Sequence, residues 1–69
     1  MNVFATRLKS AREFAGLTQK ELADLLKMSV KTYRNYELTT RNHSDPNFDV
    51  LVKIAEILNT SIDYLLGKD

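Results

Sequence analysis

The sequence predicts an all-α bundle of five short helices, and three observations carry that reading. Apolar residues recur at helical spacing in nearly every segment. Ser, Thr or Asn stands ahead of the later periodic segments, and Gly or Asn stands behind several of them. The chain holds 69 residues, 43% of them hydrophobic and none cysteine, which suits one small domain over 1–69 built from local contacts.

Phe4, Leu8, Ala11 and Ala15 mark one face of a first helix that should stop at Gly16, the residue type that closes helices in a left-handed conformation. Thr18 followed by Glu21 forms a capping box, opening a second helix through Leu22, Ala23, Leu25 and Leu26. Ser29 caps a third segment, Val30 to Leu38, so that only two or three residues separate the second and third helices. Thr39 to Asn47 has no apolar period and holds the only proline, which reads as a loop. Asn47 caps a fourth helix with Leu51, Ile54, Ala55 and Leu58 on its core face, closed by Asn59. Thr60 or Ser61 caps a last helix carrying Ile62, Leu65 and Leu66, with Asp63 in its first turn and Gly67 at its end.

The net charge is only +1, yet it is unevenly spread. Residues 1–41 hold eight basic and four acidic side chains, and residues 42–69 hold two and five. A basic first half points to an anionic partner. Without cysteine there is no disulfide or thiolate metal site. No apolar run reaches the roughly 18 to 20 residues that span a bilayer. The opening Met1-Asn2-Val3-Phe4 lacks a basic stretch followed by an apolar core. A cytoplasmic protein is expected, with no membrane partner. His43, Asp45 and Asp49 form too sparse a set for a metal. No nucleophile, base and orienting group stand together, so no catalytic residue, cofactor or small-molecule substrate is assigned.

The third helix has two faces. With Val30 at zero and 100° per residue, Arg34 falls at about 40°, Lys31 at about 100° and Asn35 at about 140°, opposite Tyr36 at about 240° and Tyr33 at about 300°. The outer face therefore offers a small apolar group, two cations and an amide, with no carboxylate. Lys and Arg suit guanine O6 and N7, Asn suits adenine, and an apolar group can meet a thymine methyl. A capped helix, a short turn and a second helix with such a face make a helix-turn-helix.

Arg7-Leu8-Lys9-Ser10-Ala11-Arg12-Glu13, Gly16-Leu17-Thr18-Gln19-Lys20-Glu21-Leu22-Ala23, Met28-Ser29, Tyr36-Glu37, Ile54-Ala55-Glu56-Ile57-Leu58 and Asp63-Tyr64-Leu65-Leu66-Gly67 occur in that order. Together they resemble the Cro/repressor-type (XRE family) helix-turn-helix, from Phe4 to Gly67. The resemblance implies a five-helix domain that binds a double-stranded DNA operator, usually as a homodimer. It puts Gln19 against a phosphate at the start of the second helix, and base reading on Val30, Lys31 and Asn35. Arg34 and Ser29 flank these; Arg34 joins the base readers, while Ser29 and Thr32 lie nearer the phosphates. Arg41, with Asn42 and His43, stands in a loop that can reach phosphates beside the reading helix. The family commonly pairs the charges found at Arg12 and Glu37 in a partly buried salt bridge that orients the third helix. Its dimer contact often falls where Ile62, Leu65 and Leu66 lie.

Three departures from the family pattern bear on geometry. Lys27 stands where a left-handed glycine is usual. Tyr33 replaces an aliphatic core residue, so the packing beneath it must widen or the ring tilt outward. Leu38-Thr39 stands where a glycine commonly follows the Glu, and the loop to Pro46 is long. The expected function is a sequence-specific DNA-binding transcriptional regulator of repressor type. A protein-interaction module of antitoxin or antirepressor type, with DNA binding secondary, stands beside it.

Overall fold

The computed structural model describes residues 2–68, so Met1 and Asp69, the two ends of the expected domain, lie outside the described residues. Among the described residues there are five helices and no strand: α1 (Val3–Phe14), α2 (Gln19–Leu25), α3 (Val30–Glu37), α4 (Phe48–Leu58) and α5 (Ile62–Leu66). None is long and apolar enough to cross a membrane.

Every helix starts on the same device. The side-chain oxygens of Asn2, Thr18, Ser29, Asn47 and Ser61 each accept from the backbone amide of the residue three further on. Each satisfies a donor that the first helical turn leaves without a partner. At Thr18 the box closes reciprocally, because Glu21 Oε1 accepts from the Thr18 amide at 2.8 Å. Ser61, rather than Thr60, opens α5.

Four of the helices also end alike, in the paired backbone bonds of a Schellman motif. In the first, Gly16 N donates to Glu13 O (3.0 Å) and Leu17 N to Arg12 O (3.2 Å). The same pairing recurs around Lys27, Asn59 and Gly67, which accounts for every positive φ found: 76° at Gly16 and Gly67, 59° at Lys27 and 53° at Asn59. The turn after α2 therefore keeps the left-handed geometry although lysine occupies it. At Gly67 a Cβ would lie 2.8 Å from Val3 Cγ1, so glycine there avoids a close contact as well as the cost of the left-handed backbone. The helix α3 ends differently. Leu38 is already extended (φ −72°, ψ 142°), which shortens the expected helix by one residue and sends the chain into the 39–47 loop.

The core is formed by Phe4, Ala5 and Leu8 of α1, Leu22 and Ala23 of α2 with Leu26 after it, Tyr33 and Tyr36 of α3, Ile54, Ala55 and Leu58 of α4, and Leu65 of α5. Helix α1 packs against both α3 and α5, α2 against α3, and α4 against α5. Two expectations need correction. Ala15 is exposed, because α1 ends at Phe14 and the chain turns away before the next core position. Four residues, 26–29, separate α2 from α3, since Leu26 leaves the helix as its C-cap.

Left-handed backbone costs an L-residue about 1 to 2 kcal/mol, and the greater chain entropy of glycine returns about 0.5 to 1 kcal/mol of that. Lys27→Gly is therefore expected to stabilise the fold by about 0.5 kcal/mol or more, seen as a higher urea midpoint at unchanged slope. An unchanged or lower midpoint contradicts the assignment of strain to Lys27.

Candidate nucleic-acid interface

The turn between α2 and α3 is fixed by the Lys27 conformation on one side and the Ser29 cap on the other, and it leaves one side of α3 facing outward. Tyr33 and Tyr36 turn inward and meet edge to face, with ring centroids 5.9 Å apart at 79°. Burial raises the pKa of both hydroxyls, and at Tyr33 a bond to Glu37 adds to it. Lys31, Thr32 and Arg34 are exposed. Val30 and Asn35 are half-buried, with Val30 packed against the core and the Asn35 carbonyl accepting from Ser44 N at 3.1 Å. The face is thus polar at its centre and tied to the core and the loop at its edges.

Arg12 of α1 and Glu37 of α3 form the expected ion pair. Arg12 Nε donates to Glu37 Oε2 at 2.7 Å and Nη2 to Oε1 at 3.1 Å, with only 10% and 4% of the two side chains exposed. A third guanidinium bond runs to the carbonyl of Leu17 at 2.8 Å, so Arg12 also holds the segment entering α2. The Tyr33 hydroxyl donates to Glu37 Oε2, and Gln19 Nε2 to Oε1 at 3.1 Å. Burial alone would raise the Glu37 carboxyl, but the bonds from Arg12, Tyr33 and Gln19 outweigh it and hold the group below the usual carboxylate range. The same contact holds the Arg12 guanidinium above its ordinary value. Tyr33 therefore does not tilt outward: its ring fills the core and its hydroxyl finds the carboxylate one turn along.

Gln19 was expected at a phosphate. Its carboxamide is engaged on both sides within the chain, since Oε1 also accepts from Arg34 Nε at 3.3 Å. The Ser29 hydroxyl accepts from Thr32 N (3.1 Å) and donates to Thr32 Oγ1 (3.0 Å), which leaves the Thr32 hydroxyl with its own proton to offer. Arg41 is exposed in the loop after α3. That loop is pinned by His43, whose Nδ1 donates to Leu38 O at 2.8 Å while Nε2 meets Asp45 Oδ1 at 2.6 Å and the ring stands edge-on to Phe4. Among the described residues no cluster of His, Cys, Asp and Glu could hold a metal ion.

The basic half of the sequence is less available than its count suggests. Arg12 is buried; Arg7 donates to Tyr64 O at 2.8 Å and lies 4.7 Å over the Tyr64 ring, docking α5 on α1. Lys20 pairs with Asp24 on the surface at 2.9 Å. Lys9 is exposed on α1, and Lys27, Lys31, Arg34 and Arg41 are exposed in the turn, α3 and the following loop. Of the expected dimer contacts, Leu65 is corrected: it is 0% exposed and belongs to the core of its own chain, because α5 packs against α1 and α4 and buries it in the shared apolar cluster. Ile62 is half-buried and Leu66 is 44% exposed.

A family model described as helix-turn-helix matches residues 8–65, which takes in both helices of the motif and the core that supports them. The chain belongs to this Cro/repressor-type helix-turn-helix family. The helix-turn-helix chain is 49% identical over 63 residues to the HTH-type transcriptional regulator ImmR of Bacillus subtilis (strain 168), covering 91% of this chain and 47% of that protein. It is 39% identical over 64 residues to the HTH-type transcriptional regulator YqaE of the same organism, covering 93% and 53%. It is 37% identical over 62 residues to the cryptic phage CTXphi transcriptional repressor RstR of Vibrio cholerae, covering 90% and 53%. The chain thus spans about half the length of these relatives.

Sequence reasoning missed the two bonds of Gln19, the Leu17 carbonyl on Arg12 and the docking of α5 by Arg7. Their partners lie 15, 18, 5 and 57 positions apart and follow no helical period. Only Tyr33 and Glu37, four apart on α3, left a readable signal.

Two outcomes follow from the buried pair. Arg12→Ala strands a buried carboxylate and is expected to destabilise the fold by about 3 kcal/mol or more, measured by urea unfolding. Glu37 titrates lower in the fold than in the unfolded chain, so its contribution is complete above the ordinary value of 4.5 and is lost as pH falls through the lowered one. Stability measured from about pH 5 down to about pH 2 should fall less steeply in Glu37→Gln than in the unmodified chain. Equal slopes contradict the depressed Glu37.

Proposed function

We propose that this chain reads double-stranded DNA through the major groove with α3, and that the protein containing it is a transcriptional regulator of repressor type acting as a homodimer on an operator. The observation that carries the reading is the exposed face of α3. Lys31, Arg34 and Asn35 lie there, and the only carboxylate of that helix, Glu37, is folded inward onto Arg12. A groove lined by phosphates meets cationic and amide donors and no opposing charge. The names of ImmR and RstR, a transcriptional regulator and a transcriptional repressor, support the same class.

In this reading Lys31, Arg34 and Asn35 meet base edges, and Val30 offers the part of its side chain that the core leaves open. Thr32 and Arg41 meet phosphates beside them, and Ser29 sets the helix start that aims them all. Ile62 and Leu66 carry the contact between protomers. The chain forms one domain and performs no catalysis.

Selection from a random duplex pool at near-physiological salt tests the reading. An enriched inverted repeat with half-sites about 34 Å apart, or a multiple of that spacing, is expected. If no sequence is enriched and binding is weak and salt-labile, DNA reading is wrong. The exposed Phe14 and Phe48 then favour the protein-interaction module instead. On the selected site, Lys31→Ala or Asn35→Ala should relax preference at one base pair per half-site, at a cost of about 1 to 3 kcal/mol. Arg41→Ala should weaken binding to all sequences alike and lower the salt dependence by about one counterion.

A further inference from the structure

Gln19 joins two charged groups of α3 from its place on α2. Its Nε2 donates to Glu37 Oε1 at 3.1 Å, and its Oε1 accepts from Arg34 Nε at 3.3 Å. The orientation of this carboxamide is dictated by chemistry. An ionised carboxylate only accepts and a guanidinium only donates, so the NH2 must face Glu37 and the oxygen must face Arg34. Glu37 is itself held by Arg12 from α1 and by Tyr33. A continuous line of hydrogen bonds therefore runs from the buried Arg12 through Glu37 and Gln19 to a guanidinium on the exposed face.

An untethered surface arginine samples many rotamers, and binding must freeze them. Here the Nε–H is already occupied, and no other hydrogen bond of Arg34 is found among the described residues. The two terminal nitrogens of Arg34 are left as a coplanar pair of donors, and such a pair matches the O6 and N7 of guanine. The geometry points to Gln19 as the positioning residue for Arg34, so that preference for a guanine read from α3 is set by a side chain of α2 that touches no base. The inference rests on the DNA reading proposed above and adds to it the base class and the residue that fixes it.

The test uses the half-site selected by the unmodified chain and the base pair whose preference Arg34→Ala relaxes. Gln19→Met keeps length and helix propensity but cannot donate to Glu37 and offers Arg34 only a weak thioether acceptor. The unmodified chain, Q19M, R34A and the double variant are each titrated against the four base-pair versions of that position, with thermal melts confirming that each is folded. The unmodified chain should prefer guanine by about tenfold or more. Q19M should lose most of that preference, with a clearly smaller loss at any other base pair because Arg12 and Tyr33 still hold Glu37, and the double variant should discriminate no less than R34A alone.

Several results overturn the inference while leaving DNA reading intact. These are a Q19M that keeps its guanine preference, a Q19M that weakens all four versions equally, additive losses in the double variant, or an R34A that relaxes no guanine. If the unmodified chain selects no sequence at all, the DNA reading fails, and this inference with it.

Discussion

The Glu37 carboxylate is the point on which the arrangement of the first three helices depends. An ionised carboxylate offers about four lone-pair directions. All four are used, two on each oxygen: Arg12 Nε and the Tyr33 hydroxyl on Oε2, Arg12 Nη2 and Gln19 Nε2 on Oε1. The donors come from α1, α2 and α3, so saturating this one group fixes three helices relative to one another. Desolvation offsets much of the attraction in a buried pair, and a well-packed apolar substitute could match it in stability. What such a substitute would lack is direction. A hydrophobic contact tolerates rotation of α3 about its axis, whereas four hydrogen bonds with angular preferences do not.

That constraint explains why a tyrosine is accommodated in place of an aliphatic core residue. A phenol in an apolar core needs a partner for its hydroxyl, and Glu37 lies one helical turn further along the same face. The aromatic ring supplies core volume and the hydroxyl completes the carboxylate. The same network alters the meaning of the charge distribution. An excess of basic residues in the first half of the sequence suggests an extended cationic surface. Arg12, however, neutralises a buried charge, and Arg7 holds α5 in place. The cations left exposed around α3 are fewer, and they are concentrated beside the outward helix.

How much was legible in the sequence follows from the range of each signal. Thr18, Ser29 and Asn47 act on amides three residues away, and each could be recognised from the residues around it. The tyrosine faces of α3 and the apolar face of α4 were readable because one helical period orders them. Ala15 was misjudged because periodicity says where a face points but not where the helix stops. Leu65 was misjudged because apolar residues on a short helix look alike whether they face their own core or a partner. Arg12 and Glu37 stood out as charges on core-leaning positions. The Gln19 link had no such mark, since a glutamine in a first turn is ordinary and its two partners follow 15 and 18 positions later.

The outward residues of α3 differ in how firmly the fold holds them, and this bears on how a reading helix can change its preference. Among the described residues Lys31 makes no hydrogen bond or ion pair, so its replacement alters the outer face and nothing beneath it. Thr32 shares its hydroxyl with the Ser29 cap, so changing it also touches the start of the helix. Arg34 is joined through Gln19 to the carboxylate that orients the helix. A substitution at Arg34 leaves the Gln19 oxygen to find another donor at the protein surface, where water can serve. A substitution at Glu37 is far more costly, because Arg12 is then left buried with its charge unpaired. Tolerance to change therefore falls from the solvent-facing positions inward along one line of hydrogen bonds, and the groups that aim the helix are those least free to vary.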